Sequence, residues 1–324
     1  MNKKNRRHFV GAVSALSLAG IVGKAWAGDY PQRPIELIVP VTAGGGTDMV
    51  GRAFAEAAKK YLPQQPIIIV NKPGASSAIG NAEVINAKPD GYKMGLIITE
   101  LTIIPSLGIT KHTAADLRPL ARLNADPSAI TVRADAPWQS IEEFIAYARS
   151  AKAPATIGNA GVGSTWHMAA AAFARKTSMA VSHIPFLGAA PASMALLGGH
   201  VDAIAVSPGE VHTYVAAGKM RTLAIMANQR VGGIFEKVPT LKELGIDLSV
   251  GVWRGLALPK GTPQDIVSVL ADVARKAAGD QVFRDALTKA NLGWSYADAA
   301  EFQRQIDQDS ALFKELVASL GLQK

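Results

Sequence analysis

Short apolar runs separated by helix-like stretches fill this chain, and that alternation leaves few folds open. Ile35–Val39, Ile67–Val70, Met94–Thr99, Ala129–Val132, Thr156–Gly158, Val181–Ile184, Ala203–Val206 and Thr222–Met226 read as strands. Most are continuously apolar, as strands buried on both faces are. Helical stretches stand between them, and Pro263–Ala278, Gln281–Ala290 and Ala299–Leu320 follow at the end. The pattern predicts an α/β protein with parallel sheets covered by helices. A second sheet is expected from about residue 129 to about residue 250.

Two strand-to-helix junctions are rich in glycine. Pro40-Val41-Thr42-Ala43-Gly44-Gly45-Gly46-Thr47-Asp48 precedes the Ala-rich stretch Met49–Tyr61. Gly158-Asn159-Ala160-Gly161-Val162-Gly163-Ser164-Thr165-Trp166-His167 lies in the second sheet. Glycine lets backbone amides approach a ligand with no Cβ in the way. The first amides of a helix lack partners and carry the positive end of its dipole. Each junction is therefore either a plain tight turn or a cradle for a carboxylate or phosphate. Thr47, Asp48, Ser164 and Thr165 are candidate helix caps. Ligands of open α/β sheets bind at the carboxyl ends of strands, where both junctions lie. The pair together favours a cleft that binds a ligand.

Composition and motifs narrow the chemistry. The chain has no cysteine, which removes disulfides, thiol nucleophiles and thiolate metal sites. Thr47 stands where a phosphate-binding loop needs lysine, and Met49 where a dinucleotide fingerprint needs its third glycine. Gly163-Ser164-Thr165 lacks the second glycine of a nucleophile elbow. His200 and Asp202 come without a third metal ligand. No catalytic residue, metal or cofactor is expected. Of the net charge of +8, five units fall in residues 1–27, which leaves +3. No basic block with interleaved aromatics remains, so nucleic acid is not an expected partner.

Residues 1–27 read as an export leader: a basic start, an apolar stretch from Phe9 to Val22, and Ala25-Trp26-Ala27 as the cleavage site. Arg6-Arg7 suggests the twin-arginine route, with an ordinary secretory leader as the alternative.

Tyr30-Pro31-Gln32-Arg33-Pro34-Ile35 and Ala43 to Asp48 resemble the opening of the solute-binding proteins of tripartite tricarboxylate transporters, the Bug or TctC-like proteins. Asn71-Lys72-Pro73-Gly74-Ala75, Pro89-Asp90-Gly91-Tyr92, Gly161 to His167, Leu196 to Asp202 and Trp253-Arg254-Gly255-Leu256 continue the series across nearly the whole mature chain. The resemblance implies a type II periplasmic binding-protein fold, two α/β domains with a ligand cleft between them. Domain one would be 29–128 plus 252–324, and domain two 129–251. It implies a periplasmic monomer that captures a small organic carboxylate and delivers it to membrane permease subunits. A sensor for a signalling partner and an exported enzyme acting on a carboxylate are the alternatives.

By that resemblance the carboxylate is held by Ala43, Gly44, Gly45, Gly46 and Thr47, with Asp48 beside them, and by Gly161, Gly163, Ser164 and Thr165. Glu100 and Arg254 depart from the family pattern. Glu100 would repel a second carboxylate or bind a cationic or hydroxyl-bearing group. Arg254 would clamp a second carboxylate, or the two would neutralise each other. Trp253 is a candidate apolar wall, and Trp166 reads as core. His167 is either packed or in contact with the ligand.

Overall fold

A computed structural model describes residues 30–186 and 188–323. The expected leader lies outside the described residues. The strands are β1 (Ile35–Val39), β2 (Ile67–Asn71), β3 (Lys93–Ile98), β4 (Leu117–Pro127), β5 (Ala129–Arg133) and β6 (Ala155–Asn159). They continue with β7 (Val181–Pro185), β8 (Ala203–Val206), β9 (Met220–Ile225), β10 (Gly251–Pro259) and β11 (Trp294–Asp298). The helices are α1 (Gly46–Ala58), α2 (Ala78–Ile85), α3 (Ile141–Ser150), α4 (Thr165–Lys176), α5 (Ala189–Leu197), α6 (Pro208–Ala216), α7 (Gln264–Gly279), α8 (Gln281–Lys289) and α9 (Ala299–Ser319).

Two sheets form, ordered β11-β4-β10-β3-β1-β2 and β7-β6-β8-β5-β9. Both are mixed, which corrects the expectation of parallel sheets. β1 runs parallel to β2 and β3, but β10 is antiparallel to β3 and β4. In the second sheet β6 is parallel to β7 and β8, while β5 is antiparallel to β8 and β9. The reason lies in the chain path. β4 runs into the second sheet through Ser128 without a crossover helix, and β10 returns antiparallel beside it.

The two crossings are stitched together. Ser128 N donates to Val250 O at 2.8 Å, Met226 N to Ser128 O at 2.8 Å, and Val250 N to Met226 O at 3.1 Å. A Cβ on Gly251 would stand 2.3 Å from Asp126 O, so glycine is needed for this approach. The helix α9 serves both cores. Phe302 and Ile306 pack with Ile38, Ile97 and Trp253, whereas Phe313, Leu316 and Val317 pack with Phe144, Phe173 and Ala203 of the second sheet. No helix among the described residues is long and apolar enough to cross a membrane.

Candidate functional site

Both glycine junctions form corners at the carboxyl ends of their strands, as the local sequence predicts. At the first, α1 starts at Gly46 with Gly45 in the N-cap position and no side-chain cap bond. Neither Thr47 nor Asp48 is the cap. Asp48 instead braces the loop from inside the first turn. It accepts from Gly44 N at 2.9 Å, from Arg52 Nε at 2.8 Å and from Asn71 Nδ2 at 2.9 Å. Burial pushes its carboxyl up, but the bonds from Arg52, Gly44 and Asn71 together outweigh that and hold it below the usual carboxylate range. Asp48 thus braces the loop. Ala43, Gly44 and Gly45 are exposed, and a Cβ on Gly44 or Gly45 would meet nothing within 4 Å. The amides of Gly46 and Thr47 open the helix and have no intrahelical acceptor.

Arg254 lies behind this corner. Its Nε donates to Thr47 Oγ1 at 3.0 Å, and its Nη1 to Asp126 Oδ2 at 2.6 Å and to Asn124 Oδ1. Its Nη2 lies 3.3 Å from where a Cβ on Gly46 would sit. Asp126 also accepts from Gly293 N at 2.7 Å. So Arg254 is paired with Asp126, and the expected neutralisation by Glu100 does not occur. Asn124, Asp126 and Gly293 did not stand out in the sequence. Their signal was an Asn-x-Asp pair on one face of a strand, where a core would place apolar residues.

At the second corner α4 begins at Thr165 with Ser164 as N-cap. Ser164 Oγ accepts from His167 N at 3.1 Å and donates to Gly161 O at 2.8 Å, so its hydroxyl is used internally. His167 is a packed residue: its Nδ1 accepts from Gly163 N at 3.0 Å. Burial, with a smaller push from His183, lowers its imidazole to about 4. The two rings meet edge to face at 4.8 Å. Gly161 and Gly163 hold positive φ of 100° and 76°. A cavity of about 210 Å³ adjoins, lined in part by Asn159, His167, His183 and Leu320.

The stretch after β3 joins the first sheet to this corner. Thr165 Oγ1 donates to Glu100 Oε1 at 3.0 Å, and Leu107 packs where a Cβ on Gly163 would fall. The loop Asn291–Gly293 makes a similar bridge, with Leu292 against Gly46 and Asn291 O against Gly209 at the start of α6. Trp253 does not wall an opening. It is 1% exposed, lies edge-on to Phe302 at 5.0 Å and donates from Nε1 to Asp309 Oδ2 at 2.7 Å. Trp166 is core, as expected. Among the described residues no group of three metal-ligating side chains forms.

A model of the tripartite tricarboxylate transporter family receptor, TctC, matches residues 50–322. The chain belongs to this family. It is 35% identical to the UPF0065 protein in the gbd 5' region of Cupriavidus necator, over 98% of this chain and 99% of that one. It is 30% identical to Protein BugT of Bordetella pertussis over 79% of each chain. A TctC solute binding protein from Polaromonas, solved without ligand, superposes with TM-score 0.84 at 56% identity, covering 90% of this chain and 99% of that one. MatC of Rhodopseudomonas palustris, solved with bound malate, superposes with TM-score 0.70 at 26% identity, covering 89% of this chain and 100% of that one. The chain is therefore a periplasmic-type solute-binding receptor of α/β architecture with two sheets.

Proposed function

We propose that this receptor captures a small organic carboxylate outside the cytoplasm and delivers it, as a monomer, to the permease of a tripartite tricarboxylate-type transporter. The observation that carries this reading is the pair of glycine corners, one per sheet, each opening a helix whose first amides lack intrahelical acceptors. The malate bound by MatC supports a carboxylate as the guest. Residues Ala43 to Thr47 would hold it from one side and Gly161 to Thr165 from the other. A ligand that touches both corners stabilises the closed arrangement over the open one, so capture needs no chemistry on the guest. The basic, apolar leader of residues 1–27 supports export.

The test is Gly45→Asp. A Cβ there meets nothing within 4 Å and φ is −83°, so the variant folds without strain. Its carboxylate takes the N-cap and places a negative charge where the anion would sit. Carboxylate affinity by titration calorimetry should fall about tenfold or more, with the melting temperature unchanged or raised. Unchanged affinity for a carboxylate that binds the wild type would remove the first corner from the site.

A further inference from the structure

Glu100 has no cationic partner among the described residues, although it sits where the two sheets meet. Its Oε1 accepts from Thr165 Oγ1, and Oε2 has no partner among the described residues. The surrounding turn leaves it little freedom. Thr99, Leu101 and Thr102 are buried. Thr99 Oγ1 accepts from Trp253 N at 2.8 Å, and Thr102 Oγ1 donates to Thr99 O at 2.7 Å. Glu100 is the side chain of this turn that does not pack inward, and it reaches the second corner.

Charge compensation differs between the corners. At the first, both carboxylates have a guanidinium partner, Asp48 with Arg52 and Asp126 with Arg254, so the helix-start amides remain as the anion-binding element. At the second, the protein supplies its own carboxylate to the hydroxyl that would otherwise meet the guest. A second ligand carboxylate placed beside Glu100 would face it as a like charge, which is unfavourable at close range. An ammonium group would form a charge-assisted hydrogen bond and supply the missing counter-charge.

We propose that Glu100 sets the ligand class: it receives a cationic amino group, so the guest is an amino-bearing carboxylate and not a dicarboxylate. This rests on the carboxylate-receptor reading above and adds the polarity of the guest. Its carboxylate lies at the helix-start amides from Gly45 to Thr47, with the second corner opposite, and its ammonium at Glu100.

Titration calorimetry on the mature chain tests this with three probe series: β-alanine and γ-aminobutyrate, malonate and succinate, propionate and butyrate. The wild type should bind the amino acids about tenfold more tightly than the dicarboxylates. Glu100→Gln should lose about tenfold for the amino acids and leave the monocarboxylates within about twofold. Glu100→Asp keeps the charge one methylene further back and should fall between, which guards against a folding defect in the amide. A wild type that prefers dicarboxylates, or an order unchanged in Glu100→Gln, overturns the inference while the carboxylate reading stands. Failure of every series to bind would sink both.

Discussion

The two glycine corners share one local recipe, a strand, a glycine-bearing loop and a helix start, yet they are held by different chemistry. The first is braced by charge: Asp48 with Arg52 and Asn71, and Arg254 with Asp126 behind it. The second is braced by neutral donors and acceptors: Ser164 as cap, and the His167 imidazole under Gly163. The same backbone shape can thus be fixed by groups that titrate in different pH windows and fail to different mutations. Each sensitivity can be measured separately.

The largest effect is expected behind the first corner. Arg254 and Asp126 are both about nine-tenths buried as side chains and bonded at 2.6 Å. Asp126→Ala would leave the guanidinium buried without a counter-charge and release Gly293 N. A loss of about 3–5 kcal/mol by urea unfolding is expected. Replacing the pair together with Met and Leu should recover much of it. An Asp126→Ala protein within about 1 kcal/mol of wild type would show that the pair does not hold this corner.

Acid should separate the corners next. His167 is depressed to about 4 in the fold, so the unfolded chain takes up the proton first as pH falls below 6.5. Stability is lost across that window, by about 2–3 kcal/mol in all. Asp309, under the Trp253 indole, is raised by burial to about 6. There the folded state takes up the proton first, and stability is gained as pH falls from about 6 towards 3.8. The slopes oppose and partly cancel in the wild type. Asp309→Asn should unmask the loss, with the melting temperature falling between pH 6.5 and 4.5, and adding His167→Gln should remove most of that fall. Asp48 is held low, so the first corner weakens only below the ordinary carboxylate pKa of 3.8. Parallel curves for Asp309→Asn and wild type would refute the opposition.

Both corners and most strands were legible because their signals are local. An apolar run and a glycine cluster need no distant partner to be recognised. β4 was not legible, since Arg118, Pro119, Arg122, Asn124 and Asp126 interrupt its apolar residues. β11, Trp294–Asp298, is short and mixed. The fixing groups were hidden for a different reason. Arg254 reaches Thr47 and Asp126 across 207 and 128 residues of chain, and Trp253 reaches Asp309 across 56. Arg254 beside Trp253 reads locally as a clamp and a wall. Only the fold shows that the clamp already grips Asp126 and that the wall is core.

The smallest effects concern the caps, and they bear most directly on the contrast. Ser164→Ala removes the hydroxyl that takes His167 N and anchors Gly161 O, and should cost about 1 kcal/mol. Gly45→Ser makes the reverse change at the first corner, supplying a cap side chain where none bonds now. Its φ of −83° and ψ of 170° are already those of a capping residue, so the gain should be a few tenths of a kcal/mol. The two signs test one idea: the second corner is locked by its own N-cap, while the first leaves that position bare and is braced by charged side chains. If Gly45→Ser instead destabilised by as much as Ser164→Ala, the bare N-cap would be serving the packing of the loop, and the division between a cap-locked and a charge-braced corner would not hold.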